Sequence, residues 1–427
     1  MKNVCVVGLG YVGLPTAILA AQNGVEVIGF DINKDRVAAV NRGNVDLTEP
    51  ELKDRLEIVL KKKTFSAIDT LPEADYFVVA VPTPLSIHNS ADVSYVFAAI
   101  DTICTKLKKG DVVIIESTIP VGTTDLCAQI IQEKTKLKVG EDVFVAHCPE
   151  RVWPSRVFEE LKKNERILGG ITSACSEKAF IFYKTFVKGV MHLKSAKFAE
   201  LLKLTENSAI DVSVALAHQV AVLAEELEFD PYEVIEIANK HPRVNILNPT
   251  CGVGGHCVAI DPWFLINSFP HKTLLFQSAR FINDSRPQQV VNKVVDAVEQ
   301  WCAEKNKDLC KVHILGLTYK PNVDDLRESP AMKVAELLFV RKNIALTITE
   351  PHAAKEKVEL QFGSLVSLEA GINNADIVVG LVAHNFFKLI NHDNYAEKTW
   401  IDCAGLRWNV PQVMRGKIQG QESAASL

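Results

Sequence analysis

Asn3-Val-Cys-Val-Val-Gly8-Leu-Gly10-Tyr11-Val12-Gly13 is a short strand-forming run that breaks abruptly into glycine. Residues 14–23 follow with helical patterning, Gly24 ends them, and residues 25–30 form a second apolar run with Asp31 at its end. A strand, a G-x-G-x-x-G turn, a helix and an acid about twenty residues after the motif opens make up the dinucleotide-binding fingerprint. Gly8 permits the tight turn. Gly10 lets the backbone approach a pyrophosphate at the helix N-terminus, and Gly13 lets helix and strand close on each other. Asp31 accepts hydrogen bonds from the adenosine ribose and repels a 2′-phosphate, so the cofactor expected is NAD rather than NADP.

Strand patterns recur at residues 76–81, 112–116 and 143–146, with helical segments between them. This spacing predicts an α/β domain built on a doubly wound parallel sheet of Rossmann type. Ligands collect at the carboxyl ends of such strands, where Thr83, Thr118 and Glu150 stand. Each is also an ordinary turn residue. Glu150 is the strongest candidate, because an acid directly after a buried strand needs a partner or a task.

Residues 196–228 read as one helix without glycine or proline, long enough for a spine or a dimer core. Lys203, Asn207 and Asp211 fall four apart on one face, either as a solvated stripe or turned into a cleft. A shorter helix, residues 231–240, leads into the irregular run His241-Pro-Arg243-Val-Asn245-Ile-Leu-Asn248. Arg243 there is a candidate anion binder. Next comes Pro249-Thr-Cys-Gly-Val-Gly254-Gly-His-Cys257-Val-Ala-Ile-Asp261-Pro. Its glycines remove side-chain bulk where a ligand or another backbone could approach. Asp261-Pro262 reads as an N-cap followed by a first helical proline, which sets Cys257 just ahead of a helix start and favours a thiolate. A tight turn around a buried, inert thiol would carry the same residues.

The last third repeats the α/β pattern on a smaller scale. Residues 311–316 form a strand ending in glycine, and a polar loop with Lys320 and Arg327 follows. Further strands are expected at 344–349, 377–382 and 400–403. Lys320 and Arg327 suit a phosphate-bearing ligand. The expected organisation is a dinucleotide-binding domain over 1–195 and a central helical domain with the cysteine loop over 196–305. A smaller Rossmann-like domain over 306–412 and a disordered tail over 413–427 complete it.

Composition narrows the function classes. A chain of 427 residues with 48% hydrophobic and 23% charged residues is a globular protein of two or three domains. A net charge of −5 without a basic block leaves no footprint for nucleic acid. The apolar runs are broken by charge or glycine short of a membrane span, so no membrane partner is expected. The N-terminus lacks the pattern of a signal peptide, which points to the cytoplasm. Ten cysteines without a Cys-x-x-Cys pair argue against a zinc ribbon. The adjacent pairs His147-Cys148 and His256-Cys257 do not converge on one ion, so no metal is expected.

Seven motifs together resemble the UDP-glucose/UDP-N-acetylmannosamine dehydrogenase family over nearly the whole chain. They are Gly8-Leu-Gly-Tyr-Val-Gly-Leu-Pro15, Val81-Pro-Thr-Pro84, Glu116-Ser-Thr-Ile-Pro-Val-Gly-Thr123, Cys148-Pro-Glu-Arg151, Lys203-Leu-Thr-Glu-Asn207, Gly252-Val-Gly-Gly-His-Cys257 and Leu326-Arg-Glu-Ser-Pro330. The segments at 149–152, 241–247 and 254–263 are most similar to the N-acetylmannosamine branch. Ile260 stands where the UDP-glucose branch carries lysine. The resemblance implies NAD-dependent four-electron oxidation of a UDP-sugar, with UDP-N-acetyl-D-mannosamine first, then UDP-N-acetylglucosamine and UDP-glucose.

The resemblance also implies roles. Cys257 is the nucleophile that captures the aldehyde as a thiohemiacetal and then a thioester. Lys203 and Asn207 stabilise the oxyanions, an effect of roughly 3–4 kcal/mol per donor. Glu150 is the base for hydrolysis, and Asp261 and Thr118 assist proton transfer. Gly8, Gly10, Tyr11, Val12, Gly13, Asp31, Arg36, Thr83, Thr118 and Arg327 hold NAD. Glu150, Arg151, Lys203, Asn207, Arg243, Asn245, Gly254 and Lys320 meet the UDP-sugar. Arg243 is expected to reach the substrate of a second subunit, in a homodimer formed through the central helices. The chain departs from the family at Ala404, where relatives carry a basic residue and Arg407 could stand in. It departs again at Ser155-Arg156. A catalytically inactive NAD-binding scaffold would have lost Cys257, Lys203 or Glu150, and all are present. A cysteine–histidine hydrolase is disfavoured, because His256 adjoins Cys257 and is poorly placed as its base.

Overall fold

The computed structural model describes residues 3–45, 49, 51–153, 156–353, 355–363 and 365–406. Ser155, Arg407 and the expected tail lie outside the described residues. The chain forms two compact units, Met1–Asn207 with Ile260–Lys272, and Ser208–Ala259 with Thr273–Leu427.

The first unit is an eight-stranded sheet. Its strands are β1 (Asn3–Val7), β2 (Glu26–Phe30), β3 (Phe65–Ile68), β4 (Tyr76–Val79), β5 (Val112–Ile115), β6 (Phe144–His147), β7 (Arg166–Gly170) and β8 (Met191–Ser195). Their order is β3-β2-β1-β4-β5-β6-β7-β8. The strands β1, β4, β5 and β6 are almost wholly buried, because helices cover both faces and each strand reads as a continuous apolar run. All pairs are parallel except β6 with β7, which is antiparallel. The strands β7 and β8 were not legible beforehand. One opens on an arginine and closes on two glycines, and the other is a half-exposed edge. Strand order reverses between β1 and β4, which places the binding crevice at their carboxyl ends.

The second unit's sheet is wholly parallel, with β9 (Cys310–Leu315), β10 (Ile344–Thr349), β11 (Ile377–Gly380) and β12 (Thr399–Asp402) in the order β10-β9-β11-β12. It reproduces the opening of the first. Gly8 N–H donates to Phe30 and Gly316 N–H to Thr349, and both glycines sit at positive φ, +95° and +87°.

The helix Ala196–Glu226 crosses from one unit to the other. Its polar stripe is the buried one. Glu200, Lys203, Asn207, Asp211 and His218 are all buried, while Leu201, Ile210, Leu216 and Leu223 are exposed. In the first unit Glu200 explains why a carboxylate can be buried there. It accepts the Gly122 and Thr124 N–H groups at 2.6 and 2.8 Å, capping the helix Thr123–Thr135. In the second unit Asp211 pairs with the buried Arg280 of the helix Leu274–Lys305. The helix is long and apolar enough, by length and composition alone, to cross a membrane. Its longest uncharged run, between Asp211 and Glu225, is still broken by charge short of a span. Its polar groups find protein partners.

Candidate active site

Four polar side chains converge within the first unit. Glu150 follows β6 on a buried turn, where Lys203 Nζ reaches Glu150 Oε1 at 3.1 Å. The other carboxylate oxygen accepts the Val152 N–H at 2.8 Å. One helical turn beyond Lys203, the Asn207 amide donates to Asp261 Oδ2. All four side chains are buried. The expected N-cap role of Asp261 is wrong. The helix is Asp261–Ser268 with Ile260 at its cap position and no side-chain cap bond, so Asp261 is already helical. Its carboxylate is turned to Asn207 instead of its own backbone.

Burial pushes the Asp261 carboxyl up to about 7; Lys203 and Asn207 hold it down, and Glu150 adds to the rise. An unfolded aspartate titrates near 3.9 (about). Between about pH 4 and 7 the folded chain therefore keeps a proton that the unfolded chain has released, and stability falls as pH rises through that window. Asp261→Asn removes the burden of an ionised buried carboxyl. It is expected to exceed the wild type by about 2–4 kcal/mol at pH 8, the gap narrowing toward pH 4. Urea unfolding across that range checks this, and an unchanged pH slope in the variant would contradict it.

Beside this cluster His147 is wholly buried. Its Nδ1 faces the Ile115 carbonyl at 3.0 Å, and its Nε2 has no partner among the described residues. Burial and Lys203 drive its pKa down to about 3, against the rise from the Ile115 bond, so the ring is neutral. By sequence, His147 stands out only as half of a His-Cys pair, because its burial depends on packing. Glu116, which no sequence signal singles out as a site residue, is buried with Arg166, Tyr183 and Thr16 as partners. These bonds pin the end of β5 to its neighbours, and only tertiary packing reveals them. Arg151 is committed to Glu206, with Nη2 at 2.5 Å from Oε1.

The glycine turn after β1 is shaped for close approach. A Cβ at Gly8 would lie 2.4 Å from the Ala80 carbonyl oxygen, and one at Gly13 would lie 2.0 Å from that of Gly8. Nothing lies within 4 Å of the Gly10 position, which leaves that backbone open. Asp31 accepts the Leu9 and Asn33 N–H groups at 2.9 Å each, and both oxygens keep a lone pair for a ribose. A cavity of about 380 Å³ next to it is lined by Asn33, Asp35 and Arg36. Tyr11 and Val12 are half-buried, and Tyr11 donates to Glu49. Thr83 and Thr118 lie half-buried after β4 and β5. The turn fits NAD.

In the second unit Cys257 is half-buried, whereas most of the thiols are fully buried. The glycines before it are required by the protein itself. A Cβ at Gly254 would lie 2.5 Å from the Glu328 carbonyl oxygen, and one at Gly255 would lie 2.8 Å from the Tyr319 ring. The cysteine loop is thus seated on the loop that carries Lys320. The Lys320 ammonium stands 5.6 Å over the Tyr319 ring. Arg327 is exposed and held by Asp325 at 2.7 Å. Arg243 and Asn245 are exposed on a segment pinned by Asn239, whose amide bonds Ile246 at both backbone groups. Ala404 donates its N–H to Asp402.

A Rossmann sheet with an acid-terminated second strand and an open glycine turn defines an NAD-dependent oxidoreductase. The chain belongs to the UDP-glucose/GDP-mannose dehydrogenase family: residues 2–187 match its NAD-binding domain, 197–285 its central domain and 313–406 its UDP-binding domain. It is 40% identical over 414 residues to the UDP-N-acetyl-D-mannosamine dehydrogenase of Escherichia coli K12, covering 95% of this chain and 99% of that protein. It is also 40% identical over 420 residues to an NDP-N-acetyl-D-galactosaminuronic acid dehydrogenase of Ralstonia nicotianae, covering 96% and 97%. Among solved structures, a UDP-D-ManNAc dehydrogenase from Pyrococcus horikoshii superposes with a TM-score of 0.87 at 37% identity, covering 95% of this chain and 96% of that one.

Proposed function

We propose that this chain oxidises UDP-N-acetyl-D-mannosamine to UDP-N-acetyl-D-mannosaminuronate, using two NAD in turn. The observation that carries the chemistry is the buried cluster of Glu150, Lys203, Asn207 and Asp261, which gathers a cation, an amide and two carboxyls. The substrate rests on the motifs at 149–152, 241–247 and 254–263, and on the likeness to enzymes named for that sugar.

Gly8, Gly10, Tyr11, Val12 and Gly13 hold the pyrophosphate side of NAD, Asp31 and Arg36 its adenosine ribose, and Thr83, Thr118 and Arg327 the remainder. When bound, NAD accepts a hydride from the sugar carbon in each oxidation. The first oxidation leaves an aldehyde at carbon six. The Cys257 thiolate adds to it, forming a C–S bond and an oxyanion that Lys203 and Asn207 stabilise. Loss of the second hydride gives a thioester. Glu150 takes a proton from water, which attacks the thioester; the C–S bond breaks, and thiolate and carboxylate separate. Asp261, whose carboxyl titrates near neutral pH, and Thr118 orient that water. Arg151, Asn245, Gly254 and Lys320 complete the UDP-sugar contacts.

The same reading takes residues 1–195, 196–305 and 306–412 as cofactor, coupling and substrate domains. It makes the protein a homodimer in the cytoplasm, where a catalytic thiol stays reduced. The exposed Leu216 and Leu223, seven apart on one helix, together with the exposed Phe229, Ile237 and Phe281 of the second unit, support a dimer, since exposed apolar surface favours an interface. Arg243 then reaches the other subunit's substrate.

Absorbance of reduced nicotinamide is the test, with a panel of UDP-N-acetylmannosamine, -glucosamine and -galactosamine and UDP-glucose. The expected result is two equivalents of NADH per sugar with the mannosamine compound alone, on a protein of dimer mass. A single equivalent would contradict covalent capture. A preference for the galactosamine compound would favour the reading suggested by the Ralstonia relative.

A further inference from the structure

We propose that His384 is a positioning residue that fixes the loop carrying Lys320 and so sets the affinity for the UDP-sugar. The proposal deepens the reading above and rests on Lys320 as a substrate contact.

His384 is completely buried beyond the end of β11. Its Nδ1 accepts the Asn322 N–H at 2.9 Å. A ring nitrogen that accepts carries no proton, so the neutral ring bears its proton on Nε2. That side faces Thr318 Oγ1 at 3.2 Å and Glu350 Oε2 at 3.4 Å. Thr318 donates in turn to the Lys320 carbonyl at 2.9 Å. Asn322 returns the bond, since its Oδ1 accepts the Asn385 N–H at 2.9 Å.

Glu350 closes the clamp from β10. One oxygen accepts the Leu317 and Thr318 N–H groups at 2.6 and 3.2 Å, and the other accepts those of His352 and Ala353. Burial raises the Glu350 carboxyl, but His384 and these N–H groups outweigh it and hold the group below the usual range. It is therefore the ionised acceptor that the Nε2–H requires. The His352 ring packs over His384 with centroids 4.7 Å apart.

The first unit shows what is unusual here. Asp31 occupies the equivalent strand end and accepts the equivalent N–H, from Leu9, yet stays half-exposed for a ligand. Glu350 is sealed by His384 and serves the loop. Asn322 has φ +60°, the left-handed region that asparagine enters more readily than most residues, and its bonds to His384 and Asn385 hold the turn there. Released from the imidazole, the turn would sample other conformers, and substrate would have to order it before meeting Lys320.

Two variants separate positioning from general damage. His384→Asn sets an amide oxygen where Nδ1 stands and keeps the acceptor for Asn322. His384→Gln sets its polar group near the Nε2 position and loses that acceptor. In His384→Gln the KM for the UDP-sugar should rise about tenfold, with the KM for NAD within about twofold, and exchange of the Asn322 amide hydrogen should quicken about tenfold. His384→Asn keeps the Asn322 bond but loses the contacts to Thr318 and Glu350, and should shift the sugar KM and the Asn322 exchange clearly less than His384→Gln does. Slow exchange or an unmoved sugar KM in His384→Gln overturns the proposal, as does equal damage in both variants. Lys320→Met, measured alongside, reports on Lys320 separately: an unmoved sugar KM there would sink the reading of Lys320 and leave the exchange result to judge the clamp.

Discussion

Cys257→Ser is expected to cut turnover to the acid by about a thousandfold or more while still yielding a first equivalent of NADH. A serine hydroxyl is almost wholly protonated at neutral pH, whereas a free thiol near pKa 8.5 is already a few per cent ionised (roughly) and far more nucleophilic. The aldehyde would then form without being captured, and the second oxidation would lack its covalent substrate. Cys257 is half-buried, and alkylation of the wild type by iodoacetamide should mimic the variant. Stopped-flow absorbance with limiting sugar measures the burst. A variant that produced two equivalents at the normal rate would remove the thiol from the mechanism.

Lys203→Met should damage both stability and catalysis. Lys203 is the cation beside Glu150 within a buried group that also holds Asp261. Removing one partner of a buried pair strands the other charge, an effect of about 3–5 kcal/mol. Loss of a donor to a developing oxyanion lowers kcat by about a hundredfold to a thousandfold. The two effects separate in the double variant. Glu150→Gln added to Lys203→Met should restore most of the stability at pH 8, because no carboxylate is then left unpaired at that position, but none of the activity. Urea unfolding and kcat, taken together in a double-mutant cycle, check this. Additive stability losses would mean the pair is not coupled as its 3.1 Å separation implies.

The two effects explain how one cluster can be buried and reactive. Desolvation raises Asp261 into the range where a carboxyl can exchange protons at neutral pH, and the nearby cation keeps it from rising further. The stability penalty expected for the ionised carboxyl and the catalytic use proposed for it arise from the same burial. Asp261→Asn should accordingly be the more stable and the less active protein.

Strands such as β1 and β5 were legible because short, valine- and isoleucine-rich apolar runs between turn signals are too short for a buried helix and fit a buried strand. The spacing of Gly8, Gly10, Gly13 and Asp31 carried the cofactor site, because a glycine turn of that register has few other uses. The cysteine loop was legible as a place of close approach, but not what approaches: the chain's own Tyr319, Glu328 and Pro330 lie where Cβ atoms would go. Along the helix Ala196–Glu226 the pattern pointed the wrong way for a lone subunit. Leu201, Ile210, Leu216 and Leu223 face outward while Glu200, Lys203 and Asp211 are buried, because Glu200 and Asp211 found partners about seventy positions away in the chain. The N-cap reading of Asp261 failed because a nearby amide competed for the carboxylate.

By itself the sequence determined the α/β class, the NAD turn and the family, since each depends on local spacing and on the order of motifs. Only the tertiary structure decided which polar groups are buried together: Glu150 with Lys203, Asn207 with Asp261, and His384 with Glu350. The physical reason is that a charge's partner is chosen by proximity in three dimensions. No periodicity along the chain records it.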